Sequence, residues 1–166
     1  MRTLSLRTLA IAGALALTLV AAPPSAIADE APHAAEAEAM LELVNDVRAT
    51  PTECGAEGEM PAAEPLALDE RLNEAARLHA EEMRERGVID HVGADGATVA
   101  DRVERQGYTW SAAGENVAHG YETPEAVIDG WLASDTHCVN LMRPVFTDMG
   151  VGRDGTYWAL ALAAPR

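Results

Sequence analysis

The end of the chain constrains the fold most. "TDMGVGR" and "YWALALA" are two strand-like runs joined by Asp154-Gly155, a hairpin signal. What precedes them is mostly helical. Met40, Leu43, Val44 and Val47 recur at helical spacing until Pro51 stops the run. Residues 50–66 carry Gly55, Gly58, Pro51, Pro61 and Pro65 and read as a loop, with Cys54 as a candidate pin. Asp69 caps a helix expected over Glu70–Arg86. That helix puts Leu72, Ala75, Ala76, His79, Ala80 and Met83 on one face, and Gly87 ends it. Thr98 caps a shorter helix reaching Gln106, with Val99 and Val103 inward. "ENVAH" reads as a short strand. Thr123-Pro124 opens a helix with Val127, Ile128 and Trp131 on its apolar side, and "THCVNLM" is helical up to Pro144. The order predicts an α+β fold in which helices cover a small antiparallel sheet. There is no internal repeat.

The N-terminus reads as a targeting segment. Arg2 and Arg7 precede the apolar run "LAIAGALALTLVAA", and Ala26-Ile27-Ala28 supplies a small-residue cleavage site. The run is shorter than the roughly 20 residues of a membrane-spanning helix. Residues 1–28 are therefore expected to be a signal peptide of a secreted, not membrane-spanning, protein. The competing reading is an uncleaved N-terminal anchor. Residues 29–38, small and acidic, read as a flexible lead-in to one domain over 39–166. The formal net charge of −15 speaks against nucleic acid as a partner.

The cysteine count is two, Cys54 and Cys138. In an exported chain they can form a disulfide, which the chain-entropy model values at roughly 4 kcal/mol. The other reading is a reactive Cys138 thiolate beside His137.

His91 follows a helix, Glu115 begins a strand, and His137 starts a helix in "SDTHCVN". Element ends can converge on one cleft. Two imidazoles and a carboxylate also suit a zinc-like ion, because imidazole nitrogen is a borderline ligand and the carboxylate offsets charge. The spacing has no local H-x-x-x-H signature, and a purely structural Glu115 bridged by the two histidines fits equally. His79 reads as a hydrogen-bonded core histidine. His119 shares the face of Glu115, either rimming the cleft or lying in solvent. Asn116 and Asn140 are expected to satisfy backbone groups, and Trp131, Trp158 and Phe146 to be core.

Taken together, "LELVNDVRA", "PLALDERLNEAARLHAEEM", "DHVGADG", "GENVAHG", "WLASDTHCVNLMRPVFTDMGVG" and "YWALAL" resemble, in order, the motifs of the CAP (SCP-like) superfamily. These are the cysteine-rich secretory, antigen 5 and pathogenesis-related proteins, and the likeness is strongest to the compact bacterial secreted branch. The resemblance covers about residues 39–163. It implies a three-layer α-β-α sandwich with an antiparallel sheet between helices. It also implies a cleft of two histidines and two acids, which in some members holds zinc or another divalent cation. His91 and His137 match the histidines and Glu115 the first acid. At the second acid the chain departs, since Ser134 stands there with Asp135 adjacent as a substitute. The implied cleft is His91, Glu115, His137 and Asp135, with His91, His137 and Glu115 as metal ligands.

The resulting expectation is a secreted, non-enzymatic binding or interaction module. Its partner would be a small molecule, a lipid, or a cell-surface or protein partner. The alternative is a metal-assisted hydrolase with Glu115 as general base.

Overall fold

The computed structural model describes residues 24–166. The charged and apolar parts of the expected signal peptide lie outside the described residues. Helix α1 spans Pro24–Arg48. A two-strand ribbon of β1, Thr52–Glu53, and β2, Glu59–Met60, encloses a 3-10 turn at Gly55–Glu57. Strand β3, Ala67–Leu68, leads into α2, Glu70–Arg86, and α3 follows at Val99–Arg105. Then come β4, Trp110–His119, α4, Pro124–Leu132, α5, Asp135–Met142, β5, Asp148–Asp154, and β6, Tyr157–Pro165.

Three local expectations change. Residues 29–38 are not a lead-in of their own: they lie within α1, and Ala37 is buried. Their alanines and glutamates are strong helix formers, so the helix begins well before its apolar stripe. Strand β4 is ten residues long rather than five, because it pairs with nearly the whole of β6. The sheet, ordered β3-β5-β6-β4, is antiparallel except at its edge, where β3 runs parallel to β5. There Ala67 N–H donates to Thr147 O and Asp69 N–H to Met149 O, so the edge is set as the chain enters α2.

The capping residues act as expected. Asp69 accepts from Arg71 N–H, and Gly87 closes α2 in the left-handed conformation at φ 65°. Thr98 and Asp101 form a reciprocal capping box on α3.

Alternation along β5 and β6 builds the three layers. Met149, Val151, Trp158, Leu160 and Leu162 pack with Met40, Val44, Val127, Ile128, Trp131 and Leu141 from α1, α4 and α5. Ala159, Ala161 and Ala163 face the other way, onto Leu72, Ala75, Ala76, Ala80 and Met83 of α2 and Val103 of α3. Large residues on one face and small ones on the other let α2 lie almost on the backbone of β5. A Cβ on Gly150 would sit 2.1 Å from Asn73 N, and one on Gly152 would sit 2.1 Å from Arg77 N. The chain is thus an α-β-α sandwich in which each sheet face is covered by helices.

Two further ties hold the layer of α1, α4 and α5. Cys54 and Cys138 are joined by a disulfide, Cα to Cα 5.4 Å, which excludes the free-thiolate reading of Cys138. Arg48 is fully buried. It donates to the carbonyls of Glu64 (2.9 Å), Leu141 (2.7 Å), Arg143 (3.0 Å) and Phe146 (3.3 Å). Its charge is met by carbonyl dipoles, and burial pulls its pKa below the usual guanidinium value.

Candidate functional site

The site forms along β4, the edge strand of the sheet, where both helical layers reach its rim. Gly114 precedes the key carboxylate because the ring of Phe146 packs against it; a Cβ there would lie 2.7 Å from that ring. Glu115 then shares the face of Val117, towards α2 and α3, while Asn116 turns to α5.

Glu115 is only 6% exposed, yet both its oxygens are paired. Oε1 accepts from Arg102 Nη2 at 2.5 Å, and Oε2 accepts from His91 Nδ1 at 2.9 Å. Arg102, itself buried, also donates to Ala97 O (2.8 Å) and His91 O (3.2 Å). One guanidinium therefore neutralises Glu115 and also fixes the loop that carries His91. A carboxylate accepts but does not donate when ionised, so His91 must present Nδ1–H to it. In the neutral ring Nε2 is then the bare nitrogen. The His91 side chain is 56% exposed. The hydrogen bond to Glu115 raises its pKa, against an opposing pull from burial.

His137 enters from α5. Asn116 Nδ2–H donates to His137 O at 3.0 Å, and Asn140 Nδ2–H donates to Glu115 O and Asn116 Oδ1, both at 3.1 Å. The two asparagines satisfy backbone groups as expected and clamp α5 to the strand. His137 is half-buried. Burial lowers its pKa, and the charge of His91 lowers it further.

Asp135 does not join them. Its Oδ2 accepts from Ala56 N–H at 3.0 Å, and it packs so tightly on Gly55 that a Cβ there would meet its carboxylate. The loop pinned by the disulfide draws this acid to the 3-10 turn, which supplies the amide it needs. His119 is exposed and stacks on Tyr157, ring centroids 4.1 Å apart, outside the cleft. His79 is a core histidine whose Nε2–H donates to Asp90 O at 2.8 Å.

The expected ligand triad of His91, His137 and Glu115 does not fit as a first shell. Among the described residues, no group of three or more His, Cys, Asp or Glu side chains is placed to hold a metal ion. The reason is local. Glu115 is already paired with a guanidinium and an imidazole N–H, and the nitrogen of His91 that touches it carries a proton. Arg102, which makes the difference, sits on the buried side of α3 at the end of "TVADRV". An arginine in an otherwise apolar helical stripe is the signal that could have marked it.

A family model described as the cysteine-rich secretory protein family, CAP, matches residues 41–157. The chain belongs to the CAP family. Two Bacillus subtilis proteins share its sequence: YkwD is 34% identical over 105 residues, and the membrane protein YlbC 34% over 93. The matches take in 62% and 56% of this CAP chain but 41% and 27% of those proteins, so the chain spans less than half the length of either relative. Among solved structures, an extracellular SCP-domain protein from Bacillus anthracis superposes with TM-score 0.70 at 23% identity, covering 86% of this chain and 45% of that one. An outer surface protein of Borrelia burgdorferi gives 0.62 at 19% identity, covering 78% and 89%. These likenesses carry the sandwich fold. Among the described residues no helix is long and apolar enough to cross a membrane.

Proposed function

We propose that this CAP domain is an exported, non-enzymatic binding module whose recognition surface is the His91–His137 rim. One observation carries the reading: Glu115 is buried and saturated, whereas the His91 imidazole in front of it is largely exposed. A group with both oxygens paired is a positioning group. It holds His91 in one tautomer and orientation, leaving Nε2 outward as an acceptor. The disulfide and the likeness to an extracellular and an outer surface protein support export.

A divalent cation such as zinc would be held by His91 Nε2 and by His137, with Glu115 behind His91 as the carboxylate that orients a ligating imidazole. Two protein ligands make a weaker site than the four of a structural zinc centre. The hydrolase alternative needs Glu115 to take a proton from water. That carboxylate is withdrawn from solvent, with one oxygen taken by Arg102 and the other by His91.

Calorimetric titration of zinc into the full chain tests the reading, beside His137→Ala and Glu115→Gln. The expected result is one weak site that His137→Ala abolishes, with no metal-dependent peptide cleavage in any variant. Cleavage by the wild type that vanishes in a folded Glu115→Gln would overturn it in favour of the hydrolase.

A further inference from the structure

On the far side of Arg102 lies a cavity of about 280 Å³ between α2, the 94–97 loop and α3. Its size is near the lower end of small-molecule sites, roughly 300–1,000 Å³. Ala75, Leu78, Ala94 and Ala97 give it apolar walls. Its polar lining is mostly spoken for. Arg102 is held by Glu115, and Arg105 Nη1 donates to Asp95 Oδ2 at 2.6 Å. Glu82 Oε1 accepts from Ala94 N–H.

Among the buried polar side chains of the lining, His79 is the exception. Its side chain is fully buried and Nε2–H is spent on Asp90 O, so in the neutral ring Nδ1 is a bare acceptor. Among the described residues, Nδ1 is the buried side-chain polar atom without a hydrogen-bond partner. Its nearest charged neighbour is Glu82 Oε2 at 3.8 Å, itself an acceptor and unable to satisfy it. Two acceptors side by side at a cavity wall call for a donor. A buried acceptor left unpaired is costly, and an arriving donor recovers that cost.

The geometry points to a binding site for a small, uncharged hydroxylated molecule, whose O–H donates to His79 Nδ1 while its apolar body lies against Leu78 and the alanines. Nδ1 itself is shielded, so binding requires the Glu82 carboxylate, held on Ala94 N–H, to turn aside. The charges of the lining cancel, Glu82 and Asp95 against Arg102 and Arg105, so it favours an uncharged ligand. Volume decides against a steroid or a long acyl chain. The site adjoins the Glu115 cluster, through Arg102 and through His79 Nε2, 3.9 Å from Glu115 Oε2, but does not depend on the reading of the His91–His137 rim.

Benzyl alcohol is a suitable probe, with toluene as the same body without the hydroxyl. Titration into the ¹⁵N-labelled full chain should give saturable shifts at the Ala94 and Ala97 amides and at His79 Nδ1. Toluene should bind at least about tenfold more weakly, since a lost hydrogen bond of this kind is worth roughly one factor of ten. Glu82→Gln keeps an oxygen for Ala94 N–H and sets an amide donor beside Nδ1; it should weaken benzyl alcohol by a similar factor. Leu78→Trp, at an exposed position, should block the mouth and abolish binding with the fold intact. The absence of saturable shifts in the wild type, toluene binding as well as the alcohol, or full affinity in Leu78→Trp would each overturn the proposal.

Discussion

Arg102 and Glu115 form a buried ion pair, Nη2 to Oε1 2.5 Å, that ties α3 to the edge strand of the sheet and sets the position of His91. Breaking such a pair from one side leaves the other charge uncompensated, at a cost of about 3–5 kcal/mol. Arg102→Met should therefore lower stability by about that much in urea denaturation. Replacing both partners, Arg102→Met with Glu115→Leu, should cost clearly less than the sum of the single changes. Additive losses would mean that the pair does not act as a unit.

Arg48 supports four carbonyls from one buried guanidinium. Each orphaned buried acceptor costs about 1–3 kcal/mol. Arg48→Leu is expected to be among the most damaging single substitutions in the chain, at least about 3 kcal/mol. Arg48→Lys, which lacks the planar fork, should fall between it and the wild type. The check is a denaturation series on the three proteins.

The approach of α2 to β5 makes a third prediction. Gly152→Ala puts a methyl 2.1 Å from the backbone of Arg77, so the helix must lift from the sheet. Overpacking of this kind costs about 1–3 kcal/mol or more, or several degrees of melting temperature in a domain of this size. Gly58→Ala meets no atom within 4 Å, and its cost comes only from its φ of 78°. The first should melt well below the second.

These contacts show what is legible in the sequence. Caps and stops such as Asp69, Gly87 and Thr98 are local chemistry, so they place the helices they bound within a residue. Glu115, His91 and His137 stand out through motifs; His91 and Glu115 do meet at one edge, and the backbone of His137 is tied to the same strand by Asn116. Arg102 and Arg48 escape notice, because an arginine reads as a solvated surface residue until the fold shows which carboxylate or carbonyls it meets. The alternation "MGVGR" and "ALALA" encodes a close helix on one face and bulky packing on the other. Only the docked α2 reveals which glycine meets backbone. Asp135 misleads by adjacency: one position from the expected acid, it faces the 3-10 turn.

Removing the disulfide should cost about 4 kcal/mol on the chain-entropy model, for a sequence separation of 84. Intact mass should rise by two hydrogens on reduction under denaturing conditions. Cys138→Ser with Cys54→Ser should unfold at markedly lower urea concentration.

The two cleft histidines pull stability in opposite directions with pH. His91 has a raised pKa, so its contribution is full below the unfolded value of about 6.5 and is lost as pH rises through the folded value. His137 has a lowered pKa, so its neutral form is favoured in the fold and stability is lost as pH falls below about 6.5. Relative to the wild type, His137→Asn should gain stability between pH 7 and 5, and His91→Asn should lose it. Urea midpoints across that range check the signs.

At the centre of the cleft, Glu115 is a buried positioning group that holds His91 with Nδ1–H inward and Nε2 free. Long-range ¹H–¹⁵N NMR of the histidine rings at pH above the His91 titration tests this most directly. The expected result is the Nδ1–H tautomer for His91, and its loss from fixed population in Glu115→Gln. An Nε2–H tautomer for His91 in the wild type could not donate to Glu115 and would contradict that role.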